Sequence, residues 1–231
     1  MVGNRRMIMK LYAVIVAGGS GKRMHAELPK QYLEIAGRPV LMHTLEKFKA
    51  FNEDIEIITV LPENQLRYWG ELQKKYSFSV QHTLVKGGRA RFFSVRNGLK
   101  FVEAPGLVAI HDGVRPFVSI ETIKRCFETA GRQGNAIPVI SPSDSIRMVT
   151  EEENKPISRL HVKQVQTPQV FDAELIKKAY KQEYLPEFTD DATVLEKTGV
   201  KINLVEGNRE NIKITNPEDL IISAALLPAV S

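Results

Sequence analysis

The stretch that most constrains this chain lies between Leu11 and Met24. Residues 11–17 form a near-continuous apolar run that passes straight into Gly18-Gly19-Ser20-Gly21-Lys22-Arg23, with Pro29-Lys30-Gln31 soon after. An unbroken apolar run of this kind predicts a strand buried on both faces, as in a parallel sheet covered by helices. Glycines at its end let backbone N–H groups approach an anion closely, and successive N–H groups form an anion-binding concavity. Lys22, Arg23 and Lys30 add charge that bare amides lack. The feature therefore predicts a phosphate site at the end of a buried strand. Two better-known glycine patterns do not fit. A dinucleotide fingerprint needs a small residue where Met24 stands, and a P-loop needs Gly at Val16 and Ser or Thr at Arg23.

Downstream, apolar and β-branched runs alternate with helical periodicity, the pattern of an α/β fold. Strands are predicted over 55–61, 78–85, 107–110, 136–140 and 200–205. Helices are predicted from Leu41 past Phe48, over 63–75, up to about 101, over 119–132 and 172–184, and from Thr189 to 198 and Asn216 to 227. A second glycine pair, Gly87-Gly88, ends the third strand and is followed by Arg89, Arg91 and Ser94. Ligands of open α/β sheets bind outside the carboxyl ends of strands, so the two glycine turns are expected to wall one pocket. The fourth strand runs into His111-Asp112-Gly113-Val114-Arg115-Pro116. A carboxylate just past an apolar strand, with Arg115 three residues on, suits a metal-and-phosphate pair, with Asp112 on Mg²⁺. His111 is given no role. Asp190 and Asp191 read more readily as helix caps than as ligands. Lys213, between Ile212 and Ile214, points away from them in extended backbone.

Residues 141–169 break the alternation with Pro142, a charged turn at 151–155 and Pro156. They are predicted to form a β-arm, and a hairpin with little core of its own needs a partner, so the arm is the expected dimer contact. Residues 1–9 read as a loose leader and 10–231 as one domain. A charge of +5 suits an anionic substrate, and with no basic block interleaved with aromatics it does not predict a nucleic-acid partner. The single cysteine, Cys126, reads as a core thiol and fits a cytoplasmic setting. No apolar run approaches the roughly 20 residues needed to span a membrane.

Cations gathered on glycine turns, without a nucleophile and attached base, point to a Mg²⁺-dependent nucleotide transferase working by positioning and electrostatics. The chain also resembles the 2-C-methyl-D-erythritol 4-phosphate cytidylyltransferases from Tyr12 to Leu220. The resemblance is carried by Ala17-Gly-Gly-Ser-Gly-Lys-Arg-Met24, Pro29-Lys-Gln-Tyr-Leu33, Gly87-Gly88 with Ser94, His111-Asp-Gly-Val-Arg-Pro116, Asp144-Ser145, Arg159 ahead of Thr167-Pro-Gln169, Thr189-Asp190 and Asn211-Ile-Lys213. It implies a Rossmann-like nucleotidyltransferase three-layer sandwich with a mostly parallel twisted sheet and a protruding arm. It implies a homodimer that joins CTP to a polyol phosphate. Arg23 and Lys30 match the family's transition-state stabilisers, and Arg159 and Lys213 match residues that position the acceptor. Ala17, Gly18, Gly19, Lys30, Gly87, Gly88, Ser94 and Asp112 match positions around the nucleotide. Arg115, Ser145 and Thr189 match the acceptor side, with Ser145 and Arg159 reaching a neighbour's site. Ser145 stands where threonine is common. Ribitol-5-phosphate cytidylyltransferase is the alternative within the group, and a non-catalytic nucleotide- or RNA-binding module is the alternative outside it.

Overall fold

The computed structural model describes residues 9–19 and 28–227. Lys22 and Arg23 lie outside the described residues, as does the expected leader apart from Met9. β1 (Lys10–Val16) is the expected first strand. A small antiparallel pair, β2 (Glu34–Ile35) and β3 (Arg38–Pro39), turns the chain through Ala36 and Gly37 at φ 48° and 74°. α1 (Val40–Phe51), β4 (Glu56–Leu61), α2 (Leu66–Lys75), β5 (Thr83–Lys86), α3 (Arg91–Gly98), β6 (Gly106–Asp112), α4 (Ile120–Gln133) and β7 (Asn135–Ile140) continue the alternation. β8 (Ile146–Val149) and β9 (Asn154–Ile157) form a separate hairpin. β10 (Gln164–Val165), β11 (Gln169–Asp172), α5 (Ala173–Ala179), α6 (Asp191–Glu196), β12 (Leu204–Glu206) and α7 (Pro217–Leu226) complete the chain.

The main sheet runs β10-β7-β11-β6-β1-β4-β5, with β12 also on β7. β1 pairs parallel with both β4 and β6, β4 with β5, and β12 with β7. Among the described residues of this sheet, β10 and β11 alone run antiparallel. Side chains alternate across β1 with the period of a strand. Ala13 and Ile15 join one core with Leu41, Phe48, Trp69 and Phe127, while Tyr12 and Val14 join the other with Phe92, Val95, Phe171 and Leu195. Helices thus cover both faces, and the sandwich has three layers. Each large apolar side chain buried in these cores stabilises the fold by roughly 1.5–3 kcal/mol.

Helix starts follow from the chemistry of their caps. The Ser119 hydroxyl accepts from Thr122 N–H, and Asp172 accepts from the N–H groups of Glu174 and Leu175. Asp190 forms a capping box with Thr193, and Pro217 opens α7 behind Asn216. Several expected bounds shift. The strand read over 78–85 is only β5, because Phe78 is taken into the core, edge-on to Trp69. The helix read over 172–184 stops at Ala179, and the strand read over 200–205 begins at Leu204. The arm is expected to reach 169, but Gln164, Val165 and Gln169 are already back on the sheet, and the hairpin itself spans β8 and β9. β11 was not expected, since four residues are too few to show a period. Among the described residues, no helix is long and apolar enough to cross a membrane.

Candidate active site

The chain leaves β1 for β4 and β5 on one side, then returns to β6 on the other. The strand order reverses at β1, and a crevice opens at the carboxyl ends there. Val16 pairs with Asp112 across this edge, so the end of β1 and the end of β6 lie side by side. A cavity at this place is lined by Ala17, Gly18, Gly19, Lys30, Gly88, Ser94, Asp112 and Lys213, together with Gln31 and Arg91. Both glycine turns do wall one pocket. Gly113 follows Asp112 because a Cβ there would come 2.7 Å from that of Ala17. The Lys30 stem runs beside Gly19, its Cε 3.5 Å from where a Cβ would stand. Gln31, fully buried, donates to the Ala17 carbonyl at 2.9 Å and to Gln65 Oε1 at 2.7 Å. That amide ties the glycine turn to the loop after β4.

The second glycine pair serves differently from the first. Gly87 N–H continues the sheet to Leu61 O at 2.7 Å, and Gly88 N–H donates to Ser94 Oγ at 3.0 Å. Ser94 Oγ in turn donates to Ala90 O at 3.2 Å. These groups shape the turn, and Gly88 rather than Gly87 lines the cavity. A side chain at Gly88 would collide with Phe93 Cβ.

Asp112 is the electrostatic centre. Lys213 Nζ lies 2.9 Å and Arg115 Nε 3.4 Å from Oδ2, and Arg91 Nε lies 3.7 Å from Oδ1. Burial would push the carboxyl up, but Arg91, Lys213 and Arg115 hold it well below the usual carboxylate range. Lys213 arrives as its spacing predicted, with Ile214 buried and Ile212 packed beside it. Arg115 also donates to Asn211 O at 2.7 Å. His111, given no role in the sequence, fixes this corner. It is fully buried, with Arg115 O 3.0 Å from Nε2 and Thr167 Oγ1 2.9 Å from Nδ1. Burial pushes its pKa down to about 4, so it is neutral. Its register next to Asp112 on a buried strand was a usable signal, since a buried histidine needs partners.

A second cavity adjoins the first. Arg91, Asp112 and Lys213 line both, and the second adds Arg115, Gln166, Thr167, Gln169, Thr189 and Asp190. The sequence names Arg91 only as following the second glycine turn, Asp191 only as a helix cap beside Asp190, and Gln169 only within the family motif, and it places none of them in the site. Arg91 opens α3, where the helix dipole disfavours a cation, and that mismatch is a signal for a carboxylate partner. The partner is Asp191. Capping explains Asp190 but not its neighbour. Ser145 and Arg159 are not brought to these cavities within the chain. They line a separate recess on the hairpin, where Arg159 donates to Ser143 O at 2.8 Å.

An open α/β sheet with cations gathered about one carboxylate at its switch point, beside glycine turns, defines an enzyme of the nucleotidyltransferase class. Within that class the chain belongs to the IspD family, 2-C-methyl-D-erythritol 4-phosphate cytidylyltransferase, whose family model matches residues 11–229. It is 53% identical over 219 residues to the cytidylyltransferase of that name from Bacteroides thetaiotaomicron, across 95% of this chain and 100% of the relative. It is 55% identical over 215 residues to the one from Bacteroides fragilis, across 93% and 98%. The crystal structure of 4-diphosphocytidyl-2C-methyl-D-erythritol synthase from Anaerococcus prevotii superposes with a TM-score of 0.81 at 31% identity, across 95% of this chain and 96% of that one.

Proposed function

We propose that the protein transfers CMP from CTP to 2-C-methyl-D-erythritol 4-phosphate, releasing pyrophosphate. The observation that carries this reading is the wall of Asp112, Arg91 and Lys213 shared by two adjoining cavities. One cavity has the glycine turns and Lys30, suited to a nucleotide triphosphate. The other has Arg115, Thr189 and Lys213, suited to a phosphate bearing hydroxyls. A phosphate oxygen of the acceptor forms a bond to the α-phosphorus of CTP as the bond to the β-phosphate oxygen breaks, and pyrophosphate leaves. Lys30 lines the first cavity and Lys213 lines both, so both are placed to act on the charge of that transfer. Arg23 joins Lys30 in this role by family likeness. The site works by holding both phosphates in line and by stabilising the charge that builds on phosphorus.

Magnesium fits Asp112. Among the described residues, no group of three or more His, Cys, Asp or Glu side chains could hold a metal by themselves. Mg²⁺ commonly takes one or two carboxylates plus substrate phosphates, and Asp112 Oδ1 has Arg91 Nε no closer than 3.7 Å. When bound, the ion neutralises phosphate charge and orients the leaving pyrophosphate. The hairpin supports a dimer in which Ser145 and Arg159 complete the acceptor cavity of the neighbour. Its exposed Val149 and the nearby Leu160 suit a covered surface.

The test is pyrophosphate release with CTP and Mg²⁺, offering methylerythritol phosphate and ribitol 5-phosphate in parallel. Preferred turnover of the first is expected. Preferred turnover of ribitol phosphate would keep the mechanism and replace the acceptor.

A further inference from the structure

Arg91 is held from behind. Its Nη1 and Nη2 donate to Oδ1 and Oδ2 of Asp191 at 2.8 and 2.7 Å, a two-pronged grip. The Asp191 carboxylate has no exposed surface, and Tyr180 OH donates to its Oδ1 at 2.5 Å. The backbone N–H of Asp191 donates to Gln169 Oε1 at 3.0 Å, and that of Ala192 to the same oxygen at 2.9 Å. Gln169 Nε2 donates to Asp190 Oδ2 at 2.7 Å. Neither Asp191 nor Tyr180 lines either cavity.

The consequence lies in which edge of the guanidinium is used. A planar fork pairs best with a carboxylate through two parallel N–H groups. Asp191 takes one N–H of each Nη group, and Nε lies 3.7 Å from Asp112 Oδ1. Without Asp191, the fork could close on Asp112, 3.7 Å from Nε, in competition with Lys213 and any ligand. The same pair joins α3, which follows Gly88 on the first cavity, to α6, which follows Thr189 and Asp190 on the second.

We propose that Asp191 is a positioning residue that acts through Arg91, keeping the guanidinium from closing on Asp112 and fixing the lip of the second cavity to the glycine turn of the first. The inference rests on the two-substrate transfer reading. Two variants test it, Asp191→Asn and Tyr180→Phe, with steady-state kinetics for both substrates and CTP binding by calorimetry. For Asp191→Asn, kcat is expected to fall about tenfold or more and KM for the acceptor to rise, because small misplacements of reacting groups are costly. CTP affinity is expected to fall by a smaller factor than acceptor KM rises, whereas a general loss of structure would lower the stoichiometry of CTP binding. Tyr180→Phe, which removes one hydroxyl and keeps the packing, should move kcat and acceptor KM the same way by a smaller factor. Unchanged kcat and acceptor KM in folded Asp191→Asn would overturn the proposal. So would losses in turnover and CTP binding that track the folded fraction. If Asp191→Asn fails to fold, wild-type kinetics in Tyr180→Phe would overturn it. A wild-type protein that turns over neither polyol phosphate would sink the transfer reading and this inference with it.

Discussion

His82 holds two hydrogen bonds that fix its protonation state. Trp69 Nε1–H donates to its Nε2 at 3.0 Å, and its Nδ1 lies 2.7 Å from Val80 O. Nε2 must therefore be an acceptor, which only the neutral ring allows. Burial lowers the pKa from 6.5. The unfolded chain then binds the proton more readily than the folded one, so this stability is fully present above about pH 6.5 and is lost as pH falls below it. His111 acts in the same direction, from 6.5 to about 4, and its share by pH 4 is on the order of 3 kcal/mol. The denaturation midpoint is expected to drop on acidification from pH 7 to 5. Trp69 is the only tryptophan, so its fluorescence reports the His82 part directly. In His82→Gln an amide can make both bonds without titrating. The fluorescence change below pH 6.5 should flatten, and an unaltered profile would show that His82 is not its source.

At the scale of elements, the sequence was most legible where one residue type has one physical job. The buried run of β1, the caps Ser119, Asp172, Asp190 and Asn216, and the glycine turns all follow from local rules. Lys213 was legible because its neighbours Ile212 and Ile214 set its direction. The Arg91–Asp191 pair spans 100 positions, and no local pattern couples residues so far apart. Likewise β11 is too short to show a period, and only the sheet reveals it as a strand between β6 and β7. The hairpin was legible from its break in rhythm, while its reach was not. Its role is measurable through Arg159. A charge-assisted hydrogen bond to phosphate contributes about 1.5–3 kcal/mol, roughly ten- to a hundredfold in binding. Arg159→Ala is expected to raise KM for the polyol phosphate by that order and to leave KM for CTP nearly unchanged. A shift confined to CTP would remove Arg159 from the acceptor side.

For the whole molecule, the decisive question is which chain supplies Arg159. Arg159 and Ser145 line a recess apart from the central cavities, while Lys30 lines the central one. If the hairpin completes a neighbour's site, each complete site draws Lys30 from one chain and Arg159 from the other. Two crippled proteins then become complementary. Lys30→Ala should lose about a hundredfold or more in kcat while remaining folded, as expected for a group acting on developing charge. Arg159→Ala, assayed at low acceptor, should also be nearly silent. In a two-fold dimer of one chain from each variant, one site carries both defects and the other carries neither. Random exchange makes half the dimers mixed, so activity should return to about a quarter of wild type. The check is to unfold and refold the two variants together and apart, then compare pyrophosphate release at equal protein. Recovery to about a quarter only after joint refolding would place the two residues on different chains. Activity no greater than the sum of the separate variants would place Lys30 and Arg159 in the same site of one chain, or remove Arg159 from the site altogether. The Arg159 kinetics separate those two cases.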